Sequence, residues 1–178
     1  ACQVRSSNPL VNLWLDRPVS DLAMLITRLP TGPYPFAGVP WYTTHKVLAG
    51  LRDAYLHRRS QQALEVLVRF TDWIDEACKD VPDDRFQQML DREHGGMNEV
   101  LADVAMLRPD ARYGRLARKF SHRALLDPLA AGRDTLDGLH ANTQIPKVIG
   151  FQRIGAFEGD ARMKTAAQFF WSTVVKNR

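Results

Sequence analysis

The chain has 178 residues, of which 45% are hydrophobic and 25% charged, and this composition predicts a globular domain with one hydrophobic core. Its apolar runs, such as residues 169–171, are far shorter than the ~20 residues that cross a bilayer, which excludes a membrane-spanning helix and argues against a membrane partner. The net charge of +4 comes from basic residues interleaved with acidic and apolar ones, a pattern typical of solvated helix faces that argues against a nucleic-acid partner.

The first 39 residues are the least regular part of the sequence. Ser20 or Asp21 would cap a short helix that runs through Leu29, and four prolines between positions 30 and 40 then exclude regular helix. We therefore predict an irregular, proline-rich segment over residues 1–39 and a second domain over residues 40–178.

Two features of the sequence bear on the cellular compartment. Residues 1–7 lack the apolar stretch of a signal peptide, so either none existed or it has been removed. Cys2 and Cys78 are predicted to be free thiols, because one lies near a terminus and the other within a helical pattern. The compartment stays open between secreted or periplasmic and cytoplasmic.

A fifty-residue repeat organises the second domain. Ser60, Asp110 and Asp160 lie fifty residues apart, and each is followed ten residues later by a phenylalanine. Serine and aspartate are favoured N-caps because their side-chain oxygens accept hydrogen bonds from the free amides of the first helical turn. A stretch with helical apolar spacing precedes each cap, so each repeat is predicted to be a hairpin of two antiparallel helices.

Longer links, from Val81 to Gly96 and from Asp127 to Pro146, separate one hairpin from the next. Apolar residues at helical spacing, including Trp73 and Trp171, are predicted to be core. Residues in or beside turns, such as His57 and His122, are predicted to face solvent.

Helical hairpins repeated at this length either stack as an open solenoid or close into an α/α toroid. A toroid of six hairpins needs roughly 300 residues at this period, and the chain holds three hairpins. We predict an all-α fold of about half a toroid, with a large apolar face left uncovered. A homo-oligomer is the expected partner for that face, because a dimer would complete six hairpins.

Three histidines, His45, His94 and His140, lie just before or at the start of the first helix of each hairpin. The long links of such a repeat gather at one end, so the three side chains are expected to converge at one mouth of the array. With Trp41 and Tyr42 nearby, they supply the donors, acceptors and stacking faces that sugar hydroxyls and C–H surfaces require. The sequence therefore predicts a site for a sugar or oligosaccharide.

Other chemistries at this mouth stay open. Single histidines often cap helices or lie satisfied in a core, and three imidazoles also bind zinc, although spacings of 49 and 46 residues match no compact metal motif. The nearest carboxylates are Glu93, Glu99 and Asp103. Two of them would suffice as acid and base in glycoside hydrolysis, but Glu99 and Asp103 share one helix face and would equally bond a neighbouring loop. The Gly95–Gly96 pair is predicted to let the chain turn tightly into a helix at Met97.

Three motifs carry a resemblance to a known family. They are residues 41–51 (WYTTHKVLAGL), 93–103 (EHGGMNEVLAD) and 139–147 (LHANTQIPK), within a match from about Pro40 to Arg178. They resemble successive motifs of glycoside hydrolase family 127, long listed as a domain of unknown function. The resemblance implies an α/α six-hairpin barrel followed by β-rich domains. It also implies hydrolysis of non-reducing terminal β-L-arabinofuranosyl groups with retention of configuration.

The resemblance further implies roles for particular residues. Family members use a cysteine nucleophile held in a zinc site with other cysteines and a glutamate, and a second glutamate as acid/base. Neither cysteine of this chain lies in a matching motif, so we expect no catalytic residue and no cofactor in the chain itself, with zinc expected in the intact family enzyme. Histidines of the three motifs hold the sugar, and this role passes to His45, His94 and His140.

The expected function is thus that of a glycosidase fragment that is inactive alone. Two alternatives stand beside it. One is a non-catalytic helical-repeat interaction module, and the other is a different α/α-toroid carbohydrate enzyme, such as a polysaccharide lyase or a sugar epimerase.

Overall fold

A computed structural model describes two short strands before residue 40, residues 40–92 and residues 95–177. The chain divides between Pro40 and Trp41 into two compact units. In the first, β1 (Ile26–Leu29) pairs antiparallel with β2 (Gly32–Pro35). The helix predicted to run through Leu29 is therefore wrong over its last turn, where β-branched Ile26 and Thr27 favour a strand. Its proposed caps lie outside the described residues.

The second unit is helical. Its helices are α1 (Pro40–Arg58), α2 (Gln61–Cys78), α3 (Asp83–Leu90), α4 (Met97–Leu107), α5 (Ala111–Lys119), α6 (Arg123–Ala130), α7 (Ala141–Glu158) and α8 (Ala161–Asn177). The pairs α1–α2, α4–α5 and α7–α8 are the three predicted hairpins, which confirms the all-α fold class. The short helices α3 and α6 lie in or beside the two long links, where no helix was predicted. Within the described part of the chain, no helix combines the length and apolar character needed to span a membrane.

The predicted caps of the second helices are confirmed. Ser60, Asp110 and Asp160 each accept a hydrogen bond from an amide two or three residues later, at 3.2, 2.8 and 3.0 Å. Such a cap contributes about 1 kcal/mol. The turns within the first and third hairpins each contain a residue in the left-handed conformation. This residue is Arg59 in the first, with a φ of 55°, and Gly159 in the third, with a φ of 72°.

The first helices of the hairpins, α1, α4 and α7, run parallel to one another. Between α1 and α4, His45 lies beside Gly96 and, further along both helices, Arg52 bonds Asp103. Between α4 and α7, Asn98 bonds Lys147 and, further along both helices, Asp103 bonds Arg153. Their N-terminal ends therefore lie at the same end of the array.

The second helices pack behind the first. Between α2 and α5, Tyr113 donates a hydrogen bond to Asp72 at 2.8 Å. A single apolar core fills the space between the helices, and its fully buried members include Leu48, Leu67, Leu101, Phe120 and Phe151. Burying each such side chain contributes about 1.5–3 kcal/mol, which makes this core the main support of the array.

Candidate functional site

The two glycines before α4 bring that helix against the start of α1. Gly95 has a φ of 54°, and Gly96 is the N-cap of α4, so the predicted tight turn into Met97 is confirmed. The glycines also permit a close approach between chains. A Cβ on Gly95 would lie 3.1 Å from Cα of Tyr42, and one on Gly96 would lie 2.7 Å from Nε2 of His45.

His45 lies in the second turn of α1 and is only 9% exposed. Its Nδ1 is buried and has no hydrogen-bond partner among the described residues. Burial, with smaller effects from Lys46 and Arg52, lowers the pKa of His45 to about 4. The imidazole is therefore neutral near pH 7, a state in which one ring nitrogen donates a hydrogen bond and the other accepts one.

The other two predicted histidines are placed differently. His140 is the N-cap residue of α7 and is exposed, with no side-chain capping bond. His94 lies outside the described residues, as does Glu93. Thus His45 and His140 lie near the same end of the first and third parallel helices, with α4 between them, and their proposed role with His94 stays a prediction.

The carboxylates of α4 have distinct surroundings. Asp103 has a side chain only 4% exposed, and its two oxygens accept hydrogen bonds from Arg52 and Arg153, both at 2.5 Å. Of its two anticipated roles, Asp103 fills the structural one, although its partners lie on neighbouring helices and not in a loop. Glu99 lies nearer the mouth, 3.6 Å from Arg52, and burial raises its pKa.

Asn98 fastens α4 to α7. The side chain is fully buried, its Nδ2 donates to the carbonyl of Lys147 at 2.9 Å, and its Oδ1 accepts from the amide of Glu99 at 3.0 Å. A Cβ on Gly150 would lie 2.1 Å from Cγ of Asn98, so α7 needs glycine at this point. This amide is therefore structural, and it fixes the helix that carries Glu99.

A groove of about 1040 Å³ opens beside Glu99. Its walls come mainly from α7 and α8 and include Ile149, Arg153, Phe170 and Trp171. Trp171 is 68% exposed and Trp73 is 42% exposed, so the prediction that both belong to the core is wrong. Helical spacing identifies an apolar face correctly, but it does not say whether another element covers that face.

Comparison with protein families decides the family. Residues 30–178 match the family described as β-L-arabinofuranosidase, GH127 catalytic domain. The chain belongs to this family. The resemblance of its three motifs is thereby confirmed, and this GH127 domain is of the glycoside hydrolase class, similar to arabinofuranosidases. A search among curated proteins found none that matches it.

The GH127 domain contains a buried network of polar contacts that its sequence did not predict. Nζ of Lys147 donates to the carbonyl of Leu90 at 3.0 Å and lies 2.8 Å from Nδ1 of His122, whose Nε2 lies 2.9 Å from Asp91. Burial lowers the pKa of Lys147 to about 8. His122 is buried, so the prediction that it faces solvent is wrong, because Lys147 of α7 and Asp91 after α3 enclose it.

The GH127 family implies a zinc centre, which needs several ligand side chains close together. Among residues 40–92 and 95–177, no three His, Cys, Asp or Glu side chains lie close enough to hold a metal ion. Cys78 is a buried free thiol whose pKa burial raises to about 12, so it stays protonated. Cys2 lies outside the described residues. The described residues thus do not form that centre, and zinc elsewhere in an intact enzyme stays a prediction.

Proposed function

We propose that this GH127 domain binds a non-reducing terminal β-L-arabinofuranosyl group at the N-terminal ends of α1, α4 and α7. His45, His94 and His140 are the proposed sugar-binding residues. The observation that carries the proposal is the state of His45, a buried and neutral imidazole whose Nδ1 has no partner among the described residues and whose Nε2 lies, with Glu99, around Gly96. A neutral imidazole next to a carboxylate suits hydroxyl groups, which donate and accept, and it does not suit a phosphate.

The proposed reaction is hydrolysis with retention, through a covalent glycosyl-enzyme intermediate. Its nucleophilic cysteine, zinc ligands and acid/base are proposed to come from residues outside the three motifs. The protonated, buried thiol of Cys78 supports that assignment, because a thiolate and not a thiol is the nucleophile. The 178-residue chain is accordingly proposed to bind the sugar without cleaving it.

Titration calorimetry with methyl β-L-arabinofuranoside tests the binding site. Replacing His45→Gln or His140→Gln should weaken binding by about tenfold each, because each variant loses an imidazole contact worth about 1–1.5 kcal/mol. His57→Gln is the matched control, since His57 is exposed in the last turn of the same helix α1. It should bind as the wild type does.

Failure of the wild type to bind the glycoside, or equal weakening by all three variants, would contradict the proposed site. A chromogenic β-L-arabinofuranoside tests the second part of the proposal with the same preparation. Its hydrolysis by the purified 178-residue chain would show that the catalytic residues are present after all.

A second candidate function rests on the groove between α7 and α8. Ile145, Ile149 and Trp171 are all exposed along it, and apolar surface of this kind is typical of interaction sites. We propose as the alternative a non-catalytic helical-repeat module in which a second copy of the chain covers this face. Solution mass and sugar binding together distinguish the two candidates, because a monomer that binds the sugar favours the first and a dimer that does not bind it favours the second.

A further inference from the structure

His45 and Glu99 flank one position at the N-terminal end of α4. A Cβ added to Gly96 would lie 2.7 Å from Nε2 of His45 and 3.3 Å from Oε2 of Glu99. Any larger residue at position 96 would thus force the imidazole or the carboxylate away. Glycine keeps the two polar groups adjacent, on neighbouring parallel helices.

The two carboxylate oxygens of Glu99 have different surroundings. Oε1 lies 3.6 Å from Nη1 of Arg52, which holds the side chain in place. Oε2 is the oxygen that lies, with Nε2 of His45, around the Cβ position on Gly96, and no hydrogen bond to it is found within the described part of the chain. By contrast, both oxygens of Asp103 are occupied by arginines. Glu99 therefore offers one acceptor that the described residues leave open.

Partial burial of Glu99 would strengthen a hydrogen bond donated to this oxygen. The side chain of Glu99 is only 24% exposed and contributes to the wall of the groove. Burial raises its pKa, and the positive charge of Arg52 opposes that rise. A hydrogen bond donated to a partly desolvated carboxylate is stronger than one between neutral groups, so a hydroxyl donor placed here would be held firmly.

We propose that Glu99 is a further sugar-binding residue, whose Oε2 accepts a hydrogen bond from a hydroxyl of the same arabinofuranosyl ring that contacts His45. The inference rests on the proposed function, because it places its ligand in the same site. It assigns Glu99 to substrate recognition and Asp103 to the framework of the array.

Binding of methyl β-L-arabinofuranoside and of its 2-, 3- and 5-deoxy derivatives to the 178-residue chain tests the assignment. Glu99→Gln keeps the shape of the side chain but removes its charge, and it should weaken binding of the parent glycoside about tenfold. One deoxy derivative, lacking the bonded hydroxyl, should bind equally to the wild type and to this variant. Glu65→Gln, on the exposed face of α2, is the control and should bind every sugar as the wild type does.

Glu99→Asp is a second variant, because it keeps the charge and withdraws it by one methylene; it should show the same selective loss. Weakening of all four sugars by the same factor would overturn the assignment, since it would mean that Glu99 acts only through Arg52 or the fold. Wild-type binding by Glu99→Gln, with weakened binding by His45→Gln, would overturn this inference and leave the proposed function standing. A wild-type chain that binds none of the sugars would overturn both.

Discussion

His45, Asn98 and Lys147 are polar, buried and drawn from the three family motifs, but the protein holds them differently. The amide of Asn98 donates to one backbone group and accepts from another, and the ammonium of Lys147 lies against a carbonyl and an imidazole. His45 keeps a buried nitrogen without a partner among the described residues. An unmade hydrogen bond of this kind costs about 1–3 kcal/mol, a cost that a ligand contact would justify and a purely structural role would not.

The burial of His45 predicts a dependence of stability on pH. Its pKa is held at about 4 in the folded protein, below the ordinary 6.5, so between these values the unfolded chain binds more protons. The contribution to stability is complete above pH 6.5 and is lost as the pH falls toward 4. From pH 7 to about pH 4.5, the wild type should lose about 2 kcal/mol more unfolding free energy than His45→Gln, after allowance for screening by nearby water.

Urea unfolding at a series of pH values measures this difference. The range above pH 6.5 is the control, because there residue 45 should not make the unfolding free energy of either protein depend on pH. Parallel curves over the acid range as well would mean that His45 is protonated as readily in the folded state as in the unfolded chain.

At the scale of helices, two glycines one hundred residues apart have opposite roles. Gly150 lies in α7 where a Cβ would meet Asn98 at 2.1 Å, whereas a Cβ on Gly50 in α1 would meet nothing within 4 Å. Gly150→Ala should destabilise the protein by about 1–3 kcal/mol through overpacking. Gly50→Ala, the matched control, should stabilise it by about 0.5–1 kcal/mol, because alanine loses less backbone entropy in a helix.

Thermal and urea unfolding of the two variants measure these opposite signs. A Gly150→Ala protein as stable as the wild type would show that α4 and α7 separate without cost. In that case the hydrogen bond of Asn98 would not be what holds α4, which carries Glu99, against α7, which begins after His140.

Those elements that depend on local chemistry could be predicted from the sequence. The caps at Ser60, Asp110 and Asp160 and the three hairpins follow from side-chain oxygens and apolar spacing a few residues apart. Long-range partners could not be predicted in this way. The residues around His122 do not predict its contact with Lys147, twenty-five residues later. Likewise, the residues around Asp103 do not predict its hydrogen bonds to two arginines.

The residues of the candidate site were likewise predicted only where a local pattern identified them. Its histidines were found because they recur at equivalent points of the repeat, and their motifs carry the family resemblance. The distinct roles of Glu99 and Asp103 were not found, since both are acids on one helix face. Only the positions of Arg52 and Arg153 on the neighbouring helices separate an occupied carboxylate from an open one.

At the scale of the whole molecule, charge and apolar surface are arranged across the three parallel helices. Asp103 of α4 lies between Arg52 of α1 and Arg153 of α7, so one acid ties together three helices. The apolar groove lies beside Arg153 and Glu99, and its walls come mainly from α7 and α8. The array therefore carries exposed apolar residues on the face of α7 and α8 that borders the groove.

We predict that a second copy of the chain covers this apolar face of α7 and α8. Exposed Trp171 and Ile149 lie within this groove, and their burial in a dimer would contribute about 1.5–3 kcal/mol each. Light scattering should therefore give the mass of a dimer at micromolar concentrations, and Trp171→Glu should shift the chain to a monomer. Val81→Glu, an exposed apolar position in the link between α2 and α3, is the control and should leave the dimer intact. A wild-type monomer that binds arabinofuranoside would instead favour the sugar-binding function over the interaction module, because its open face would then need no second copy.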